Sequence, residues 1–289
     1  MYWLANIAPA PGHPVFLRLL STHRPVNETL TAILLGLIEG LTEFLPISST
    51  GHLLIAQHWL GGRSDLFNIV IQAGAILAIV MVYRQRLQTL ALGVGDAENR
   101  AYLAKIAVAF AVTAVIGIPV RLAGWELPET VAPVAWALVL GGLWMLVAER
   151  LAERRPSSAE ITWTVAVLVG LAQVVAGVFP GTSRSAAAIF IALLAGTNNR
   201  PAATEFVFLV GIPTMFAASG YALLEHLLKQ GSSGEPWGQL ALAFAAASAT
   251  GFITVRWLLG YIKAHRYTPF AIYRIALGIA LLLWLPSGE

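Results

Sequence analysis

The stretch from Gly36 to His52, GLIEGLTEFLPISSTGH, puts two glutamates, a histidine and a run of hydroxyls into an otherwise apolar segment. An apolar helix from Thr29 to Leu45 leads into the break PISSTGH (Pro46 to His52), and a short apolar helix, His52 to Leu60, leads out. Proline removes a backbone donor, and glycine and serine favour turns. A second long helix, Ile161 to Phe179, meets the break PGTSRS (Pro180 to Ser185) and continues as the short Ser185 to Ala195. Irregular backbone at membrane depth is tolerated only where protein buries it or where it lines a wet cavity. Two re-entrant hairpins are therefore expected, each a longer helix, a polar break and a helix too short to span.

The rest of the chain supplies the membrane context. Of 289 residues, 57% are apolar and only 11% charged, against about 25% charged in soluble proteins. That composition excludes a soluble enzyme and a disordered chain. The net charge of +3 is scattered over short loops and forms no nucleic-acid stripe. With no cysteine, disulfides, thiolate metal sites and cysteine nucleophiles are excluded. About 20 apolar residues cross a bilayer core, and six runs meet that need: Leu66 to Tyr83, Ala101 to Leu122, Val131 to Ala148, Thr204 to Leu228, Gly238 to Ile262 and Tyr267 to Leu285. The expected fold class is an all-α integral membrane protein of six spanning helices plus the two re-entrant hairpins. Residues 1–27 read as a retained N-terminal extension without signal-peptide features, and 28–289 as a single membrane domain.

The two breaks align with each other. With Gly36 placed on Gly170, GLIEGLTEFLPISSTG runs without a gap against GLAQVVAGVFPGTSRS, pairing Pro46 with Pro180 and Ser49 with Ser183. The chain reads as a duplication, repeat one about 28–148 and repeat two about 161–285. Placing Arg84, Arg86, Arg100, Arg150, Arg154, Arg155, Arg200, Lys263 and Arg266 in the cytoplasm leaves only Arg63, Arg121 and Lys229 on short outer loops. That orientation makes the first hairpin dip from outside and the second from inside, an inverted-topology repeat whose breaks meet near the midplane.

Glu39 and Glu43, four residues apart, stack on one helix face, with Ser48, Ser49, Thr50 and His52 just beyond. A charge at membrane depth costs at least about 2.5–3.5 kcal/mol and is functional by default. The blander alternative has the glutamates facing the aqueous interface or pairing with Arg184, and the histidine serving structure. In the second break Arg184 sits between Ser183 and Ser185, after Gly181 and Thr182. A planar guanidinium, hydroxyls, turn amides and a helix N-terminus together favour an anion such as phosphate. Paired carboxylates can hold a hard divalent cation that bridges phosphate oxygens, so the combination suits a metal-bound diphosphate.

EGLTEFLPISSTGH and PGTSRS resemble the two signature motifs of the undecaprenyl-diphosphate phosphatase family associated with bacitracin resistance, and FNIVIQAGAILAIV, EFVFLVGIPTMF and TPFAIYR match it further. The resemblance implies a bacterial inner-membrane, multi-pass enzyme with its active site facing the periplasm. Such an enzyme converts undecaprenyl diphosphate to the monophosphate, recycling the lipid carrier for cell-wall synthesis. It implies Glu39, Glu43, Ser49, His52 and Arg184 as catalytic; the carboxylate chemistry above makes Glu39 and Glu43 the expected ligands of Mg²⁺ or Ca²⁺. Ser48, Thr50, Gln72, Thr182, Ser183 and Ser185 are expected to bind substrate, Gln72 either on the phosphate or joining hairpin to helix. Ser49 is the first choice of nucleophile and His52 the second, His52 otherwise serving as general acid or base. Ala186 and Ala188 depart from the glycine and threonine usual in that family. Arg256 and Arg274, in or near the ends of the last spans, read as snorkelling side chains. The expected partners are a polyprenyl diphosphate and membrane lipids and not nucleic acid, with a homodimer among the assemblies the sequence allows. The rival reading is a transporter of an anion or lipid phosphate, since inverted repeats with broken helices also build transporters; a third is a structural scaffold.

Overall fold

The computed structural model describes residues 27–125, 130–156, 158–230 and 236–284. The expected extension up to residue 26 lies outside the described residues. Within them the chain is all-helical, with eleven helices. They are α1 (Glu28–Thr42), α2 (Ser49–Leu60), α3 (Asp65–Val82), α4 (Arg84–Leu92), α5 (Ala97–Leu122) and α6 (Val131–Glu153), then α7 (Trp163–Val178), α8 (Arg184–Ala195), α9 (Arg200–Gln230), α10 (Trp237–Tyr261) and α11 (Thr268–Trp284). Five of these, α3, α5, α6, α9 and α10, are long and apolar enough to cross a membrane, while the apolar α11 is 17 residues long. The short polar links cap their helices: Asn27 accepts from Thr29 N at 2.9 Å, Ser64 from Phe67 N at 3.1 Å and Asp96 from Asn99 N at 3.1 Å.

Two helix–break–helix units sit where the sequence places them. The first break is a run of turn ending at Ser48, and α2 begins at Ser49, three residues before the expected His52, because Ser48 caps it. The loop expected after Tyr83 contains a further helix, α4, too short and polar to register as an apolar run. The repeat alignment also needs a correction of one residue beyond the prolines. Ser48 (φ 72°) and Ser183 (φ 68°) are the only non-glycine residues of positive φ among the described residues, and each caps the helix that follows. Ser48 Oγ accepts from Gly51 N and Ser183 Oγ from Ala186 N, both at 3.3 Å. Ser48 is therefore equivalent to Ser183, and Ser49 to Arg184. A left-handed serine costs of order 1–3 kcal/mol, which the capping bond and the surrounding packing offset.

Helices of the two halves exchange partners. The long arm of the first unit, α1, packs on α10 of the second half, and α7 packs on α5 of the first. A Cβ at Gly36 would strike the Ala243 carbonyl oxygen, and one at Gly170 the Ala109 carbonyl oxygen. Gly36 and Gly170 are paired in the alignment, and each meets an alanine carbonyl of the crossing helix, so the two crossings are alike. The counterparts α3 and α9 pack on each other, as do α6 and α11, and α8 lies among α6, α7 and α9. The largest apolar core, containing Phe190, Phe206, Ile79 and Val165, surrounds α8 and holds the second break in place.

Glycine at these crossings is required by backbone contact, which a neighbour cannot relieve by rotating a side chain. Gly36→Leu and Gly170→Leu should each destabilise the protein by about 1–3 kcal/mol or more. The check is the melting temperature of each variant in detergent: both should fall, whereas wild-type values would remove these crossings from the account.

Candidate active site

Glu39 lies on α1 with its side chain sealed from solvent, 0% exposed. Among the described residues no donor reaches either of its carboxylate oxygens. The next glutamate lies just past the end of α1 yet keeps helical dihedrals, and its N–H donates to Glu39 O at 2.9 Å. That last helical residue brings the Glu43 carboxyl beside that of Glu39. From there Glu43 reaches across the break, and Ser49 Oγ donates to its Oε2 at 2.6 Å.

The second break meets the first here. Ser185, in the first turn of α8, donates from Oγ to Leu45 O at 3.2 Å and shares a hydroxyl contact with Ser183 at 3.1 Å. Arg184, the first residue of α8, is half-buried and close enough for its charge to act on Glu39. Glu43, Arg184, Ser185 and Gln173 line one cleft, walled by Phe44, Ile76 and the face of α9 at Val207 and Met215. The cleft is narrow, about 30 Å³, roughly one water's share of liquid volume.

The remaining expected site residues fall around this cleft. Ser48 and Ser183 hold the backbone, their hydroxyls engaged as caps. Thr50 is half-buried in the first turn of α2, its hydroxyl making no hydrogen bond among the described residues, and the Thr182 carbonyl accepts from Arg274. Gln72 is half-buried on α3, its side chain makes no hydrogen bond among the described residues and does not line the cleft, although Ile76 one turn later does. His52 also stands outside it. Its Nδ1 lies 2.7 Å from Ser48 O and its Nε2 2.8 Å from the Tyr273 hydroxyl, with the two rings stacked. A carbonyl only accepts, so Nδ1 carries the proton, and in the neutral ring Nε2 accepts from Tyr273. Ala188 is fully buried in the apolar core and lines neither cavity, so a hydroxyl there would not face the cleft.

Arg274 departs from expectation. It does not snorkel: it is 0% exposed on α11, its Nη2 donating to Gly181 O and Thr182 O at 3.0 Å and to Ala137 O at 3.1 Å, while Nη1 points at Pro46 O, 3.5 Å away. One guanidinium thus reaches carbonyls of both breaks and of α6. Helix breaks leave carbonyls without intrahelical partners, and this side chain supplies the donors that water supplies elsewhere. A charge seven residues into an apolar helix was the available signal. Arg256, by contrast, is exposed, its guanidinium 5.5 Å from the Phe252 ring centroid.

A second, larger cavity of about 580 Å³ runs between α6 and α7 over the floor of α8. Trp136, Leu140 and Trp144 form one wall and Leu168, Leu171 and Val175 the other, and the cavity reaches the second break at Thr182 and Arg274.

An acidic pair, a hydroxyl on one of its carboxylates and a guanidinium, all at paired helix breaks in an apolar helical bundle, define a multi-pass membrane protein with an anion-handling polar centre. The chain belongs to the family described as Bacitracin resistance protein BacA, which matches residues 32–280. It is 66% identical over 263 residues to an undecaprenyl-diphosphatase of Xanthomonas oryzae pv. oryzae, covering 91% of this chain and 99% of the relative. The same identity relates it to an undecaprenyl-diphosphatase of Xanthomonas campestris pv. campestris, over 91% of this chain and 100% of that one. An undecaprenyl-diphosphatase of Xylella fastidiosa is 61% identical over 259 residues, 89% of this chain and 99% of the relative.

Arg274→Lys keeps the charge but loses the fork that serves several carbonyls at once. The variant should melt at a lower temperature and lose at least about tenfold in the protein's phosphatase turnover, since breaking a buried charged contact costs about 2–5 kcal/mol. Unchanged melting and turnover would show that the breaks hold their shape without it.

Proposed function

We propose that the protein hydrolyses undecaprenyl diphosphate to undecaprenyl phosphate and inorganic phosphate, returning the lipid carrier to cell-wall synthesis and conferring bacitracin resistance. The observation that carries this at the level of residues is the Ser49–Glu43 contact of 2.6 Å in a cleft that Arg184 also lines. Six crossings, counting α11, and two re-entrant units set the polar centre within an inner membrane, with the cleft opening to the periplasm. The apolar cavity beside the second break suits the polyprenyl chain, its lining being almost wholly hydrocarbon and aromatic.

Arg184 grips the terminal phosphate with its planar fork, aided by the N-terminus of α8 and by Ser185. Glu43 takes the Ser49 proton as Oγ attacks the terminal phosphorus. The bond to the bridging oxygen breaks, and undecaprenyl phosphate leaves with that oxygen. Water then attacks the phosphoserine: its hydroxyl leaves with the inorganic phosphate, Ser49 recovers the proton that Glu43 held, and Glu43 takes the water's second proton and releases it to solvent. Ser49 is preferred to His52 as nucleophile because it faces a carboxylate, whereas both ring nitrogens of His52 are engaged. His52 positions the first break through Ser48.

The acidic pair fits a divalent cation. Glu39 has two buried oxygens without partners and Glu43 stands beside it, an arrangement that is costly unless a positive charge completes it. Among the described residues no cluster of three or more metal-ligating side chains exists, so the protein would offer two carboxylates, leaving water and phosphate oxygens to fill the sphere. When bound, Mg²⁺ or Ca²⁺ would supply charge neutralisation on the phosphate. The transporter reading has no comparable support, since the similar proteins named above are all diphosphatases.

Purified protein in detergent should release phosphate from undecaprenyl diphosphate with no membrane gradient. Ser49→Ala should lower kcat by at least about a hundredfold with little change in KM, the loss being confined to the chemical step. Near-normal kcat would transfer the nucleophile's role to another group. Excess chelator should silence the wild type and Mg²⁺ or Ca²⁺ restore it; full activity in chelator would remove the cation from the acidic pair.

A further inference from the structure

Gln173, on α7, lines the cleft with Glu43, Arg184 and Ser185 and has no role in the reaction above. It is 4% exposed. One end of its amide lies 3.0 Å from the Thr113 hydroxyl of α5 and 3.1 Å from the Thr214 hydroxyl of α9. Each hydroxyl has a single hydrogen, and a backbone carbonyl one turn earlier takes it: Thr113 donates to Ala109 O and Thr214 to Val210 O, both at 2.9 Å. Gly170 O, 3.1 Å from the Thr113 hydroxyl, is a further acceptor there. The threonine oxygens therefore turn lone pairs to the amide, and the end that faces them is the NH2 group. Its two hydrogens serve the two threonines. The opposite end is the carbonyl oxygen. Among the described residues no protein donor reaches it, and unlike the Glu39 oxygens it is not sealed from solvent, so it opens onto the cleft that the side chain lines.

A cleft of about 30 Å³ takes one water, and it is walled by two acceptors, this oxygen and the Glu43 carboxyl. Glu43 engages Ser49 through Oε2 at 2.6 Å and has its other oxygen to offer. A water between the two acceptors donates one hydrogen to each, which leaves its lone pairs free to attack. A phosphoryl group on Ser49 lies beside that water. We propose that Gln173 is a catalytic residue of the second half-reaction, its carbonyl oxygen orienting the water that hydrolyses the phosphoserine, with Thr113 and Thr214 as positioning residues that aim it. The proposal rests on the reading of Ser49 as nucleophile. In this step the water oxygen bonds to phosphorus as the bond from phosphorus to Ser49 Oγ breaks. Glu43 returns its proton to Ser49 from Oε2 and takes one water proton on its other oxygen, and the hydrogen on Gln173 leaves with the phosphate as its hydroxyl. Gln173 changes neither charge nor protonation; it acts by holding the water in one direction.

The test uses the purified full-length protein in detergent and undecaprenyl diphosphate radiolabelled in its terminal phosphate, and compares label released with label retained on the protein after an acid quench. Gln173→Leu should release phosphate about 10- to 100-fold more slowly than wild type, yet form undecaprenyl phosphate in the first turnover at a near-wild-type rate, so that labelled protein accumulates. Thr113→Val should show the same pattern to a smaller extent, and adding it to Gln173→Leu should slow release no further, because both act through one amide. Lost packing or weakened substrate binding does not produce retained label. Melting temperature identifies a variant that does not fold, and Gln173→Met, which keeps the side chain's length without the acceptor, then takes the place of the leucine variant. Unchanged release by Gln173→Leu overturns the proposal, and so does an equal slowing of first-turnover cleavage and release with no label retained. Ser49→Ala, run in parallel, should neither turn over nor retain label. If it turns over, the Ser49 reading fails and the proposal falls with it, whereas an inactive Ser49→Ala beside a label-free Gln173→Leu leaves that reading standing and sinks the proposal alone.

Discussion

Everything in this protein depends on backbone that is broken where no bulk water can solvate it. Each break frees carbonyls and amides, and burial among apolar helices makes every unpaired one cost roughly 1–3 kcal/mol. Serine caps at Ser48 and Ser183 satisfy the amide side of that demand, and the Arg274 guanidinium satisfies carbonyls at Gly181 and Thr182. The Ser185 to Leu45 bond then ties one break to the other. Once the broken ends are paired in this way, the groups they carry, Glu43, Ser49 and Arg184, are fixed relative to one another. Polar atoms that stabilise the breaks and polar atoms that do chemistry are thus neighbours in the chain.

Two matched breaks bring both signs of charge to one cleft. A contact such as Gly36 on Ala243 recurs as Gly170 on Ala109, and both breaks turn on a serine of positive φ, so at these points the backbone is alike. The side chains are not. At matched positions the first half carries Glu39 and Ser49 and the second the neutral Gln173 and the charged Arg184, so the acid comes from one half and the guanidinium from the other. A symmetric backbone with asymmetric side chains suits a diphosphate whose own two ends differ, one bound for release and one bound to a lipid.

Much of this was legible in the residues themselves. Apolar runs located the helices because a membrane admits little else, and proline beside serine and glycine located both breaks. The acidic pair and Arg184 stood out because charge in apolar surroundings is costly. What escaped was tertiary or too fine-grained. A one-residue shift after Pro180 put Ser183 opposite Ser48, and a gapless alignment cannot register it. Arg274 near a helix end looks like a snorkelling side chain until α11 is seen to pack on α6 beneath both breaks. Gln173 is uncharged and carries no cost signal; only its alignment with Glu39 marked it. Helix α4 was hidden by its polarity and its nine residues.

The central claim is that the acidic first break and the basic second break hold a single diphosphate between them. An experimental structure of the protein with a non-hydrolysable polyprenyl methylenediphosphonate tests it most directly. The terminal phosphonate should lie within hydrogen-bonding distance of the Arg184 guanidinium and in line with Ser49 Oγ, with Glu39 and Glu43 on the side facing the nucleophile. A headgroup bound elsewhere, with Glu43 and Arg184 still closed on an empty cleft, would contradict the account.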